Sequence, residues 1–234
     1  MHPARMTLTF LAVIFLESSS VFAQEQPHQR PYEPDHLIPE RALAEAHDQS
    51  YDVALRENLR LDATFFARMV ILPSFDGESC LRLHGPEGES DITKASRFFL
   101  TSYQADQSIW KTLPQQSDEY RKPGPVIVSV ATAPLPAAFA RRLRAIWDEM
   151  LARSCPPDSP NMTLDGVSYK FSTPKQTAVA TNPRQRMSPV LLTELGRSLM
   201  QYCEAKPEDR TRRMKSAEQH ATVLENYLKI HPAK

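Results

Sequence analysis

Residues 65–84 run FFARMVILPSFDGESCLRLH, and the class of the fold follows from them. Phe65–Leu72 is rich in β-branched and aromatic side chains and stops at Pro73, while Ser79–His84 alternates apolar with polar. Between them Ser74-Phe75-Asp76-Gly77 supplies turn chemistry, so the two runs predict an antiparallel β-hairpin. Gly85-Pro-Glu-Gly88 is a second turn, and Arg97–Ala105 (RFFLTSYQA) a third strand whose pattern extends toward Ile109-Trp110. After a polar, proline-bearing loop comes Pro125–Ala131 (PVIVSVA), whose consecutive Val and Ile predict a central strand buried on both faces.

A helix follows from Pro136: Phe139, Leu143, Ile146, Trp147, Met150 and Leu151 recur on one stripe of a 3.6-residue period. It ends before Ser154-Cys-Pro-Pro-Asp-Ser-Pro160, which no helix survives. In Asn161–Thr173, Asp165-Gly166 between alternating apolar residues predicts a second hairpin. Residues 174–187 are polar and predict a mobile excursion. Ser188-Pro189 reads as an N-cap followed by proline at the first helical position, opening a helix with Leu192, Leu195, Leu199 and Cys203 on one face. Pro207 interrupts it and starts another, to about Ile230, with Met214, Ala217, Ala221, Leu224 and Leu228 at helical spacing. This order is not the βαβα alternation of a parallel sheet. It predicts an α+β domain: a mostly antiparallel sheet of five to six strands with three to four helices packed on one face.

Toward the N-terminus, Arg5, the apolar run Met6–Leu16 and Val21-Phe22-Ala23 have the three-part build of a secretory signal peptide, cut between Ala23 and Gln24. The eleven residues of this run span only about 16 Å as a helix, too short for a hydrocarbon layer of about 30 Å. Residues 24–39 carry four prolines and few apolar groups, so they predict a flexible leader. Residues 40–48 are helix-forming, 49–61 ambiguous. The expected organisation is signal peptide 1–23, leader 24–39, one domain over 40–206 and a C-terminal helix within 207–234, either packed on the domain or extending from it. The mature chain is expected to have no transmembrane segment and a periplasmic or secreted address.

With 28 Lys+Arg against 28 Asp+Glu, the chain lacks the basic surface of a nucleic-acid binder. Its six glycines are scattered, which excludes Rossmann and P-loop phosphate cradles, and no zinc-protease, serine-hydrolase-elbow or EF-hand pattern occurs. Pro73-Ser74-Phe75, Ile109-Trp110 and Leu164-Asp165-Gly166-x-x-Tyr169-x-Phe171, as a set, resemble a group of small exported bacterial proteins of unknown function. The resemblance implies a bacterial envelope setting and no particular activity.

Three cysteines in an exported chain suggest one disulfide and one leftover thiol. The candidate pair is Cys155–Cys203, with Cys80 free; loop-closure entropy does not separate the pairings. A catalytic Cys80 with His84 is the sharper alternative, although strand spacing puts them about 13 Å apart. The histidines have no paired ligand spacing, so no metal site is expected. Ser172-x-x-Lys175 matches a serine-enzyme pattern but holds Pro174 and lacks its companion motifs. Four acidic pairs, Asp76/Glu78, Glu87/Glu89, Asp118/Glu119 and Asp148/Glu149, would serve a glycosidase only if two carboxylates shared a cleft. Arg141/Arg142/Arg144 and Arg210/Arg212/Arg213/Lys215 are basic clusters on helix faces. The expectation is a non-enzymatic exported protein, without cofactor, that binds a protein partner in the cell envelope. An envelope hydrolase using acidic residues is the alternative.

Overall fold

The computed structural model describes residues 35–40, 49–114, 116, 121, 124–156, 166–183 and 187–232. The signal peptide, most of the leader, the 40–48 helix beyond its first residue, Asp118/Glu119 and the first strand of the 161–173 hairpin lie outside them. The fold is α+β, as expected, with one antiparallel sheet of seven strands in the order β1-β7-β6-β2-β3-β4-β5. The strands are β1 (Ile38–Pro39), β2 (Ala67–Pro73), β3 (Ser79–His84), β4 (Phe98–Ala105), β5 (Val128–Leu135), β6 (Val167–Thr173) and β7 (Gln176–Thr181); the helices are α1 (Gln49–Leu59), α2 (Ala137–Ala152), α3 (Ser188–Glu204) and α4 (Arg210–Ile230).

The 65–84 hairpin is the middle of the sheet. Met69 pairs with Leu81 and Val70 with Cys80, and alternation sends these pairs to opposite faces. On one face Met69, Leu81, Leu100 and Phe171 meet the apolar stripes of α2 and α3, with Ala217, Ala221, Leu224 and Leu228 of α4 behind them. Full burial of each large side chain on the α2 stripe contributes about 1.5–3 kcal/mol. Close approach of α3 requires Gly196, where a Cβ would fall 2.4 Å from the Met69 sulfur. On the other face α1, ambiguous in the sequence, lays Leu55 and Leu59 over Val70, Cys80 and Tyr103. Three helices thus share one face and the fourth covers part of the reverse.

Several local expectations change. Strand β5 is not central but an edge, paired only with β4 among the described residues. A run of β-branched residues reports strand propensity; it does not report how many neighbours the strand has. The excursion over 174–187 contains β7, which returns from β6 through the two-residue turn Pro174-Lys175 and buries Ala178 and Ala180 between polar ends. Gly166 sits at φ +137° with no room for a Cβ beside Asn182, as a turn glycine should. The end of the predicted leader belongs to the fold. Leu37 is fully buried, Ile38 and Pro39 pair with Val179 and Ala178, and Asp35 reaches α3. Asp35, not Ser188, serves the start of α3: its carboxylate accepts the Ser188 N–H at 2.8 Å and the Tyr227 hydroxyl at 2.8 Å. A carboxylate at a helix N-terminus satisfies an otherwise unpaired N–H. Pro207 ends one helix and precedes the next, as expected, through a 3-10 turn over Pro207–Asp209.

Among the described residues, the side chain with the most polar partners is Glu78, fully buried just before β3. Its carboxylate accepts the Ile109 N–H at 2.6 Å, the Tyr51 hydroxyl at 2.8 Å, and the Trp110 N–H and Ser108 hydroxyl at 3.3 Å. It ties α1 and the turn after β4 to the hairpin. Burial and Glu78 push the Tyr51 phenol far above its usual value, so it stays a donor. Glu78→Ala strands several buried donors and is expected to cost about 3–5 kcal/mol, read as a lower urea midpoint; a loss under about 1 kcal/mol would refute the anchoring role.

Candidate functional site

Two surface features stand out. The first is the β5 edge. Its opposite number, β1, is two residues long and ends in Pro39, which blunts pairing. By contrast β5 is eight residues long and carries no charged side chain. Ile127, one residue before β5, and Val130 within it are 66% and 58% exposed, and backbone alternation puts them on opposite faces. The Ile127 carbonyl accepts the Asp106 N–H, which places Ile127 among the residues bonded toward β4. By antiparallel alternation Val128, Val130 and Thr132 then aim N–H and C=O away from the sheet. Pro134, which has no N–H to offer, occupies the next outward position, and its carbonyl takes the Tyr202 hydroxyl at 2.6 Å.

The second feature is a row of polar side chains crossing six strands at one level. Thr177 of β7 pairs with Ser172 of β6, Ser172 with Arg68 of β2, Arg68 with Arg82 of β3, Arg82 with Thr101 of β4, and Thr101 with Thr132 of β5. All six therefore share the face that carries α1, beside that helix. Like charges directly opposite across strands repel, yet neither arginine forms an ion pair among the described residues. Arg68 donates to the Leu61 carbonyl at 2.5 Å and its guanidinium lies 4.2 Å from the Phe65 ring centre. Arg82 donates to the Tyr103 hydroxyl at 2.9 Å and lies over that ring. The Nε–H groups of both are buried without an acceptor, each a cost of about 1–3 kcal/mol. Burial holds the Arg68 guanidinium below its usual value, with Arg82 adding to that and Cys80, Asp62 and Glu40 opposing it.

His84 adjoins the row. Its Nδ1 is 2.8 Å from the Gly85 carbonyl, which only accepts, so Nδ1 carries the proton and Nε2 accepts from Thr101 at 2.9 Å. The Thr101 oxygen in turn lies 3.0 Å from that of Thr132. Burial, then Arg82, holds the imidazole below its ordinary value against the raising pull of the Gly85 carbonyl, which favours the neutral ring. A hydroxyl on a neutral imidazole is the pairing of an activated nucleophile. Here Thr101 is 3% exposed, enclosed by Arg82, His84 and Thr132, and the network orders side chains.

The sequence-derived candidates do not assemble. Cys80 and His84 do share a face, but Cys80 is sealed under α1 and burial pushes its thiol up to about 12; Arg68 and Arg82 pull the other way and lose. Cys203 is likewise buried, its thiol pushed up to about 12 by desolvation and then by Glu204. No disulfide joins Cys155 to Cys203, and the sheet explains why. Cys155 donates its N–H to the Leu37 carbonyl, next to edge strand β1. Cys203 follows Tyr202, which bonds edge strand β5. The two edges are six strand spacings apart, roughly 29 Å, against a Cα separation of about 7 Å at most for a disulfide.

Ser172 accepts from Thr177 at 3.1 Å, while Lys175 is exposed in the turn. Among the acidic residues, Glu78 is an internal anchor, Glu89 bonds the Asp91 N–H, and Asp148 and Glu149 pair with Arg144 of α2 and with Arg153 at its C-cap. A surface groove lined by Leu191, Val223, Asn226, Tyr227 and Ile230 holds no carboxylate. Of the basic clusters, Arg142 forks onto Glu225 at 2.8 and 2.9 Å and Arg212 pairs with Asp209. No group of three or more metal-ligating side chains occurs among the described residues. None of their helices is long and apolar enough to cross a membrane.

No family model, curated protein or solved structure matches this chain.

Because Cys80 and Cys203 are buried and Cys155 is exposed, iodoacetamide under native conditions is expected to label Cys155 alone, with all three labelled in urea. Peptide mapping without reductant checks both labelling and pairing. A Cys155–Cys203 bridge in purified protein would contradict the strand order.

Proposed function

We propose that this chain is exported by a cleaved leader and acts, in the periplasm or outside the cell, as a non-enzymatic protein that binds another protein. The binding element is the β5 edge, which accepts an extended segment of the partner as an added strand. One observation carries this: an uncharged eight-residue edge with Val130 exposed on one face and Ile127, just before the strand, exposed on the other. Strand addition draws affinity from main-chain hydrogen bonds and specificity from alternate side chains. Val128, Val130 and Thr132 supply the former; Ile127 and Val130 supply apolar contacts on either side. Soluble proteins ordinarily protect such an edge with charge, proline or brevity, and β1 is protected by the last two. Support for export is the build of residues 1–23, with its charged start, short apolar run and small residue at Ala23.

Export predicts that protein recovered from the envelope or the medium begins at Gln24, as N-terminal sequencing would read. Recovery from the cytosol beginning at Met1 would overturn it. For the edge, a photo-crosslinking residue at Ile127 is expected to trap one partner protein from envelope extract. Val130→Lys should reduce that yield at least tenfold. Val130 is exposed, so the substitution should change stability by no more than about 0.5 kcal/mol. Undiminished trapping in V130K, or a product that proves to be a second copy of this chain, would refute the proposal.

A further inference from the structure

We propose that the β5 edge is acid-responsive: the partner segment sets a carboxylate beside Thr132, and protonation of His84 turns the Thr132 hydroxyl toward it through a chain of hydrogen bonds. This rests on the edge reading above and adds the partner's charge and its control. The chain starts at the Gly85 carbonyl, 2.8 Å from His84 Nδ1. It passes from Nε2 to the Thr101 hydroxyl at 2.9 Å and ends at the Thr132 hydroxyl, 3.0 Å further on. In the neutral ring Nε2 has no proton, so Thr101 donates to it. The proton in the next contact is then the one on Thr132, which turns only lone pairs outward. In the imidazolium both nitrogens donate, and Nε2–H takes a lone pair of Thr101. Thr101 is 3% exposed, and its hydroxyl has no third partner among the described residues. Without an acceptor its proton would cost about 1–3 kcal/mol, so it goes to Thr132. The Thr132 hydroxyl, exposed on the edge strand, is thereby released to donate outward. Hydroxyl rotations suffice for the reversal.

The charges on this face choose the partner group. β5 itself carries none. Arg82 stands two strands in from the edge at the level of Thr132 and forms no ion pair among the described residues. Arg68 lies beside it on β2, with Asp62 and Glu40 answering at longer range. Against the His84 ring lie Arg82 of β3 and, from β4, Thr101 and the Phe99 ring at 5.7 Å; among the described residues Arg82 is the charged group that acts on it. An imidazolium adds positive charge two hydrogen bonds from the Thr132 oxygen. A carboxylate accepts only and is negative, so the released proton and the new charge both favour it. An ammonium would lose on both counts. Burial, helped by Arg82 and opposed by the Gly85 carbonyl, holds the ring neutral until the pH falls below the usual imidazole value of about 6.5. Binding therefore strengthens with acid, and by linkage the bound carboxylate raises the affinity of His84 for its proton.

The test repeats photo-crosslinking at Ile127 in envelope extract from about pH 7.5 down to about pH 5, where a side-chain carboxylate of pKa about 4 stays ionised. The trapped yield is expected to rise at least threefold on acidification, following the His84 titration read by nitrogen-15 NMR of the whole mature protein. Thr101→Val keeps the shape and removes the relay, and His84→Gln removes the titration; both should trap the partner at the neutral-pH level throughout. A second arm needs neither partner nor variant: in the free wild type, the Thr132 methyl signal should titrate together with the His84 ring. Yield that is flat or falls with acid, a rise that persists in T101V, a ring still neutral at about pH 5, or a Thr132 methyl blind to His84 would each overturn the proposal and leave the edge reading standing. No trapped product at any pH would overturn the edge reading and this proposal with it.

Discussion

One register, Met69 opposite Leu81 with Arg68 opposite Arg82, governs the rest of the molecule. A slip of one residue in either strand would turn its apolar side chain, Met69 or Leu81, away from α2 and α3 and drive its arginine into the apolar layer. The hairpin does not hold that register alone. The Glu78 carbonyl accepts the Ala105 N–H, aligning β4, while its carboxylate holds Tyr51 of α1 and the turn at Ile109. A single acidic residue thereby joins the sheet, the helix on its reverse face and the loop beyond β4. A carboxylate so placed is tolerated in the interior because its lone pairs are occupied.

Legibility in the sequence followed the range of the determining force. The 65–84 hairpin, the stripe of α2 and the apolar spacing of α4 are local patterns and are where the residues placed them. Strand β5 was legible as a strand and misleading as to position, because VIVSV reports propensity and the seat in the sheet depends on which other strands of the chain pair beside it. Strand β7 hid behind Gln176, Thr177 and Thr181, leaving too short an apolar core to register. The Pro-rich composition of 24–39 concealed Leu37 and Asp35, which are ordered by β7 and α3 rather than by their neighbours.

The polar row was nearly invisible for a related reason. Arg68 and Arg82 each stand in an apolar run, the one local hint that something unusual sits there. Their opposition follows from the hairpin, but Ser172, Thr101 and Thr132 join only through three further strand pairings. The disulfide expectation weighed loop entropy, which is indifferent to direction, whereas the strand order separates the two cysteines by the width of the sheet. Glu78 appeared as one of a pair of turn carboxylates. Only its enclosure by Tyr51, Ser108 and two backbone N–H groups distinguishes it from Asp76.

The strand order also sets a timetable. β2 lies between β3, which follows at once, and β6, whose pairing residues come about a hundred positions later; β1 waits longer still for β7. Such distant seams make assembly slow. Until its last third is available the chain can offer only the four-stranded β2–β3–β4–β5 meander. A polypeptide built this way remains threadable for most of its synthesis and locks shut late, when β6 and β7 finally zip the two halves together.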